Sequence, residues 1–194
     1  MSVTTHPMSS PGTPVLPTPL ARSAQDSDLA AILDVYLACR ATDPMYPAGA
    51  GGRAASELTE WFFRKPLAAC LVVEDADGVI VGVAGLRAAA PPPSTLGDRR
   101  VLWMESCRLA VHPGHRGGAA SRALTSARMR AAHDLGADKL WVRCLPGSPA
   151  HGLYLRVGWS FLSRGHIDVP GEPPRPAVLL QRAVAHVPAH RVST

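Results

Sequence analysis

Leu109-Ala110-Val111 runs into His112-Pro113-Gly114-His115-Arg116-Gly117-Gly118, and then into Ala119-Ala120-Ser121-Arg122-Ala123-Leu124. The apolar triplet reads as the end of a strand, the Pro/Gly-rich stretch as a loop, and the alanine-rich segment as the opening of a helix. This succession constrains the chain more than any other feature. A helix begins with backbone N–H groups that have no partner inside the helix, and the positive end of its dipole lies there too. Glycines just upstream let the backbone approach an anion closely. The stretch is expected to cradle a phosphate-bearing molecule.

The rest of the chain supplies a sheet for that loop to sit on. Residues 1–19, with Pro7, Pro11, Pro14, Pro17 and Pro19, read as a flexible tail. Leu20 to Ala24 reads as a first strand. Leu29, Ile32, Leu33, Tyr36 and Leu37 then recur at helical spacing behind a cap at Asp26 or Ser27. The segment from Asp43 to Gly52 reads as a loop, and Ser56 opens a second helix carrying Leu58, Trp61 and Phe62. Ala69 to Glu74 and Val79 to Arg87 form a hairpin across Asp75-Ala76-Asp77-Gly78.

After Pro91-Pro92-Pro93 comes a long strand, Arg100 to Val111, and then a helix from Ala119 to Leu135. Its expected inner face is Ala120, Leu124, Ala127, Ala131 and Leu135, with Gly136 as its stop. Leu140 to Cys144, a short helix Pro149 to Val157, and two closing strands, Trp159 to Ser163 and Ala177 to Ala183, complete the pattern. The fold expected over residues 20–185 is mixed α/β: a largely antiparallel sheet of about six or seven strands flanked by about four helices. Residues 186–194 read as a second tail.

Composition narrows the function classes. A chain of 194 residues that is 46% hydrophobic suits one packed domain. No apolar run is long enough to span a bilayer, and the first 21 residues carry no Lys or Arg, which argues against a secretory signal. Cys39, Cys70, Cys107 and Cys144 sit far apart in apolar segments, as buried free thiols of a cytoplasmic protein do. His112 and His115 have no common metal spacing, so no metal is expected. The net charge of +5 is scattered. Arg122, Arg128 and Arg130 are expected on the solvent side of their helix with no stacking aromatics beside them, so neither nucleic acid nor membrane is an expected partner.

Among phosphate loops, a Gly-x-x-x-x-Gly-Lys-Ser/Thr loop requires a lysine that is missing here, and a dinucleotide fingerprint would follow the first strand instead of the fourth. Val111, Pro113, Arg116, Gly117 and Leu124 match Val-x-Pro-x-x-Arg-Gly-x-Gly-x-Gly/Ala-x-x-Leu without a gap. Ala150-x-x-Leu153-Tyr154-x-x-x-Gly158-Trp159 matches Ala-x-x-Leu-Tyr-x-x-x-Gly-Phe/Trp. On these two motifs, and an opening with Arg22, Ala24 and Asp26-Ser27-Asp28, residues 20–184 resemble the GNAT superfamily of N-acetyltransferases. Two departures stand out. Ala119-Ala120-Ser121 stands where small glycines are usual, so a somewhat crowded pyrophosphate loop is expected, and an alanine at 119 would cost about 1 kcal/mol if that position required a positive φ. Gly147 stands where an asparagine is common.

The resemblance implies acetyl-CoA as cosubstrate and a small-molecule or peptide amine as acceptor; homodimers are common among similar proteins. Such an enzyme must take a proton from an ammonium and give one to a leaving thiolate. By resemblance Glu105, eleven residues before Arg116, is the base, and Tyr154 is the acid. Strand alternation places Glu105 on one face with Cys107, Leu109 and Val111; the competing role for Glu105 is an ion pair with Arg100 or Arg108. Leu109, Ala110 and Val111 would hold the pantetheine arm by their backbone. Arg116, Gly117, Gly118, Ala119, Ala120, Ser121 and Arg122 would surround the pyrophosphate. An acyl-enzyme on Cys107 and a non-catalytic acyl-CoA-binding module are the competing readings.

Overall fold

A computed structural model describes residues 19–42, 66–89, 100–167 and 173–185. Both terminal tails, the loop after Asp43, the helix expected from Ser56 and the Pro91-Pro92-Pro93 loop lie outside the described residues. The elements follow the expected order: β1 (Ala21–Ser23), α1 (Leu29–Arg40), β2 (Ala69–Glu74), β3 (Ile80–Ala88), β4 (Trp103–Val111), α2 (Ala119–Asp134), β5 (Lys139–Cys144), α3 (Pro149–Arg156), β6 (Ser160–Ile167) and β7 (Arg175–Ala183). The strands make one seven-stranded sheet ordered β1-β2-β3-β4-β5-β7-β6. Every pairing is antiparallel except β4 with β5.

Leu71, Val72 and Val73 of β2 are all buried because helices cover both faces of the sheet. Val72 points to the α1 side, where Ile32, Val35, Tyr36 and Cys39 pack with Val83 and Ala110. Leu71 and Val73 point to the α2 side, with Ala84, Val111, Ala120, Leu124 and Ala127. A third cluster joins the far half of α2 to β5, α3 and β7 through Ala132, Leu140, Val142, Tyr154, Trp159 and Leu180. The 16 residues of α2 thus bridge two parts of the core.

Several local expectations shift. The buried stripe of α1 is Ile32, Val35, Tyr36 and Cys39, whereas Leu37 is 41% exposed. Asp28, not Asp26 or Ser27, closes its start: its carboxylate accepts from Gln25 N–H and pairs with Arg22. Leu135 lies beyond the last turn of α2 and is exposed. The largest revision concerns Arg128, expected in solvent and found 1% exposed, so the solvent face of α2 is less basic than the sequence suggests.

Leu124 is fully buried beneath β3 and β4, whereas Leu135 is 44% exposed. Leu124→Ala is expected to lower unfolding free energy by about 2–5 kcal/mol and Leu135→Ala by less than about 0.5 kcal/mol, as read by urea denaturation.

Candidate active site

The site is built where β4 leaves β5. Their parallel ladder has only three pairs, Trp103↔Lys139, Met104↔Leu140 and Glu105↔Trp141. Beyond Trp141, β5 stays with β7 as far as Cys144↔Val178, while β4 continues along β3 to Val111↔Gly82. A bulge accompanies the parting: Ala84 of β3 faces both Arg108 and Leu109, and Arg108 has φ 57°. The extra residue bends and twists its strand. Tyr36 Oη fixes the bulge by donating to Arg108 O at 2.7 Å.

The bulge corrects the expected strand face. Glu105 and Cys107 share the α1 side with Ala110, whereas Leu109 and Val111 lie on the α2 side. Simple alternation fails because one inserted residue reverses the parity of everything after it. His112 N–H donates back to Val81 O at 2.8 Å. Because successive strand residues turn their backbone groups to opposite edges, Val111 N–H faces the side that β5 has vacated. Val111 O accepts from Arg116 Nε at 3.1 Å and from the Cys39 thiol.

The glycine loop then turns into α2. Gly117, at φ +72°, is the loop residue that requires glycine. Among the described residues Arg108 is the one non-glycine at positive φ, so Ala119 carries no such backbone strain. Gly118 is the N-cap, with no side chain capping α2 and no acidic residue in its first turn. Ser121 Oγ donates to Gly118 O at 3.5 Å, within the loop. Arg122 is exposed and lines a cleft of about 380 Å³ with Thr125, Ser126, Met129, Val157 and Arg182. At the start of α3, Gly147 sits at φ +73°, which accounts for a glycine there, and Ser148 caps the helix by accepting from His151 N–H.

Glu105 and Tyr154 reach the parting strands from opposite faces of the sheet. Glu105 is 8% exposed and forms an ion pair with Arg87, directly across the ladder, instead of with Arg100 or Arg108. Burial holds the Arg87 guanidinium below its ordinary value. Tyr154 is 2% exposed, its ring edge-to-face with Trp159 at 4.9 Å. Arg128 Nη2 donates to Tyr154 Oη at 3.1 Å, and Nη1 donates to Ser106 Oγ. Sequence reasoning places Arg128 in solvent and gives Ser106 no role; the cue available is an arginine four residues after Leu124 on the inner stripe of α2.

Cys107 is a poor nucleophile here. Burial pushes its thiol up, although Arg108, Arg87 and Arg128 pull the other way. Cys70 and Cys144 are pushed up to about 11 by burial, and all four cysteines are free. Among the described residues no group of three or more His, Cys, Asp or Glu gathers as a metal site, and no helix is long and apolar enough to cross a membrane.

A parted sheet edge, a glycine loop and an uncapped helix end thus meet beyond the end of β4. The family model described as Acetyltransferase (GNAT) family matches residues 31–159, and the chain belongs to that family. Solved structures share the fold. A GNAT superfamily phosphinothricin acetyltransferase from Sinorhizobium meliloti, in complex with AcCoA, has 17% identity and a TM-score of 0.65, covering 86% of this chain and 89% of its own. A ribosomal-protein-alanine N-acetyltransferase from Brucella melitensis has 20% identity and a TM-score of 0.64, covering 84% and 99%. A protein from Corynebacterium glutamicum described as histone acetyltransferase HPA2 and related acetyltransferase has 21% identity and a TM-score of 0.64, covering 88% and 99%. No curated protein matches the chain.

Two substitutions check this geometry. Gly117→Ala meets no heavy atom within 4 Å but must hold a positive φ, so it should cost about 1 kcal/mol of stability. Cys107→Ala should leave kcat within about threefold of wild type, because no covalent intermediate is expected on a thiol held protonated; both are read by denaturation and steady-state kinetics.

Proposed function

We propose that this protein transfers an acetyl group from acetyl-CoA to a primary amine of a small molecule or peptide by direct attack, in the reducing cytoplasm. The observation that carries the reading is the early end of the β4–β5 ladder, with Glu105 on one face of the opening and Tyr154 on the other. The donor set fits the cosubstrate. Leu109 and Val111 offer backbone groups to an extended amide-bearing arm, as an added strand would receive them, whereas Ala110 turns its own toward β3. The uncapped start of α2, from Gly117 to Ser121, offers N–H groups to a pyrophosphate. Arg122 and Arg182, in the cleft that continues along α2, add charge for the nucleotide end.

Acetyl-CoA supplies the activated acyl group as a thioester. Val111 N–H polarises the thioester carbonyl and stabilises the oxyanion that forms there. Glu105 accepts the proton of the attacking amine, with Arg87 holding the carboxylate in place until the ammonium displaces it. Tyr154 gives its phenolic proton to the departing sulfur. Placing base and acid on opposite faces keeps the two proton transfers apart, so that one group does not neutralise the other. The alternative is a non-catalytic acyl-CoA-binding module, suggested by Ala119 and Ser121 in the loop; the absence of a positive φ at Ala119 removes backbone strain as a reason to favour it.

Acetyl-CoA is expected to raise the melting temperature, and an amine panel followed by release of free thiol should find turnover. Glu105→Gln, which keeps the shape and a hydrogen bond to Arg87, should lower kcat by about 10²–10⁴-fold with the acetyl-CoA KM nearly unchanged. Stabilisation without turnover on any amine would favour the binding module. No stabilisation by acetyl-CoA or CoA would overturn both.

A further inference from the structure

Arg128 is the largest fully buried side chain described in the protein. A guanidinium keeps its charge in any protein environment, so burying one demands compensating negative charge. Among the described residues Arg128 has none: its partners are the hydroxyls of Ser106 on β4 and Tyr154 on α3, and its Nε has no acceptor. Its carbon lies 5.6 Å from the centre of the Tyr154 ring. A guanidinium can only donate, so Tyr154 Oη must accept from it. The single hydrogen of Tyr154 is therefore turned away from Arg128, and no described residue accepts it.

We propose that Arg128 is the positioning residue of the acid, aiming the Tyr154 hydroxyl at the leaving sulfur and stabilising the negative charge that gathers on its oxygen during proton transfer. The proposal rests on Tyr154 being the acid. In the step concerned, the N–C bond forms and the C–S bond breaks, with the bonding pair leaving on sulfur. Sulfur takes the proton of Tyr154; Glu105 holds the proton of the amine, which returns to the phenolate through solvent. The sum is acetyl-CoA plus amine giving amide plus CoA thiol, with no change of oxidation state. A phenol is ordinarily a weaker acid than an alkyl thiol by about 1.5 units, or about 30-fold in equilibrium. A buried cation without a counterion offsets that mismatch, because it gains a partner only when the phenolate forms. Ser106 fixes the other arm of the guanidinium and so sets its direction.

The test is a kinetic cycle on the full chain with acetyl-CoA and an accepted amine: Arg128→Met, Tyr154→Phe and the double variant. Tyr154→Phe is expected to lower kcat by about 10²-fold or more. Arg128→Met should lower it by about 10- to 100-fold with the acetyl-CoA KM within about twofold, Arg128→Lys should recover part of the loss, and Arg128→Met should cost less than about threefold in the Tyr154→Phe background. A readout independent of turnover is the affinity for CoA against its desulfo analogue. Wild type should favour CoA by about tenfold, the worth of one hydrogen bond to sulfur, and Arg128→Met should bring the ratio near one. A merely structural bridge would weaken both ligands alike. If Arg128→Met does not fold, Ser106→Ala loosens the guanidinium without removing it, and should cost about three- to tenfold in kcat only where Tyr154 is present. Additive losses, or a loss confined to KM, overturn the role of Arg128 alone. An unchanged kcat in Tyr154→Phe overturns the acid assignment and this inference with it.

Discussion

The parting of β4 from β5 after Glu105↔Trp141 is the constraint on which the rest of the site depends. A parallel ladder continued to Val111 would consume the backbone groups that face the opening and would close the path between the two faces of the sheet. The bulge at Arg108 bends β4 away, and Tyr36 pins the bulge from α1. Each neighbouring feature uses the resulting space. The end of β4 points the glycine loop at the start of α2, and the free edge near Val111 adjoins that loop. Tyr154 enters from α3 on one side and Glu105 looks out on the other.

Much of this was legible in the sequence for a physical reason. Hydrophobic periodicity is set by burial, and the strands and the two long helices fall within a few residues of their expected positions. The glycines that punctuate the chain were legible too, because Gly117 and Gly136 occupy backbone conformations that other residues reach only with strain. The bulge was not legible. Its positive-φ residue is an arginine, which gives no local signal, and the face expected for Glu105, Leu109 and Val111 was wrong for that reason alone.

The site's charges were the least legible part. Arg128 looks like any polar residue of an amphipathic helix, and its burial follows from what α3 and β4 present to α2: two hydroxyls and the ring of Tyr154. Arg87 pairs with Glu105 because the register of β3 and β4 sets them opposite each other, a relation between positions 18 apart that no local pattern encodes. The three neighbours named above carry descriptions of three different acceptors on one fold. The fold by itself therefore does not name an acceptor.

Amide hydrogen exchange with and without acetyl-CoA tests the central claim most directly, because it reads the backbone groups on which the account rests. The account predicts slowed exchange at Leu109 and Val111 and from Gly117 to Arg122, with little change in β1 or β6. Protection that leaves those amides untouched and appears elsewhere on the sheet would contradict it.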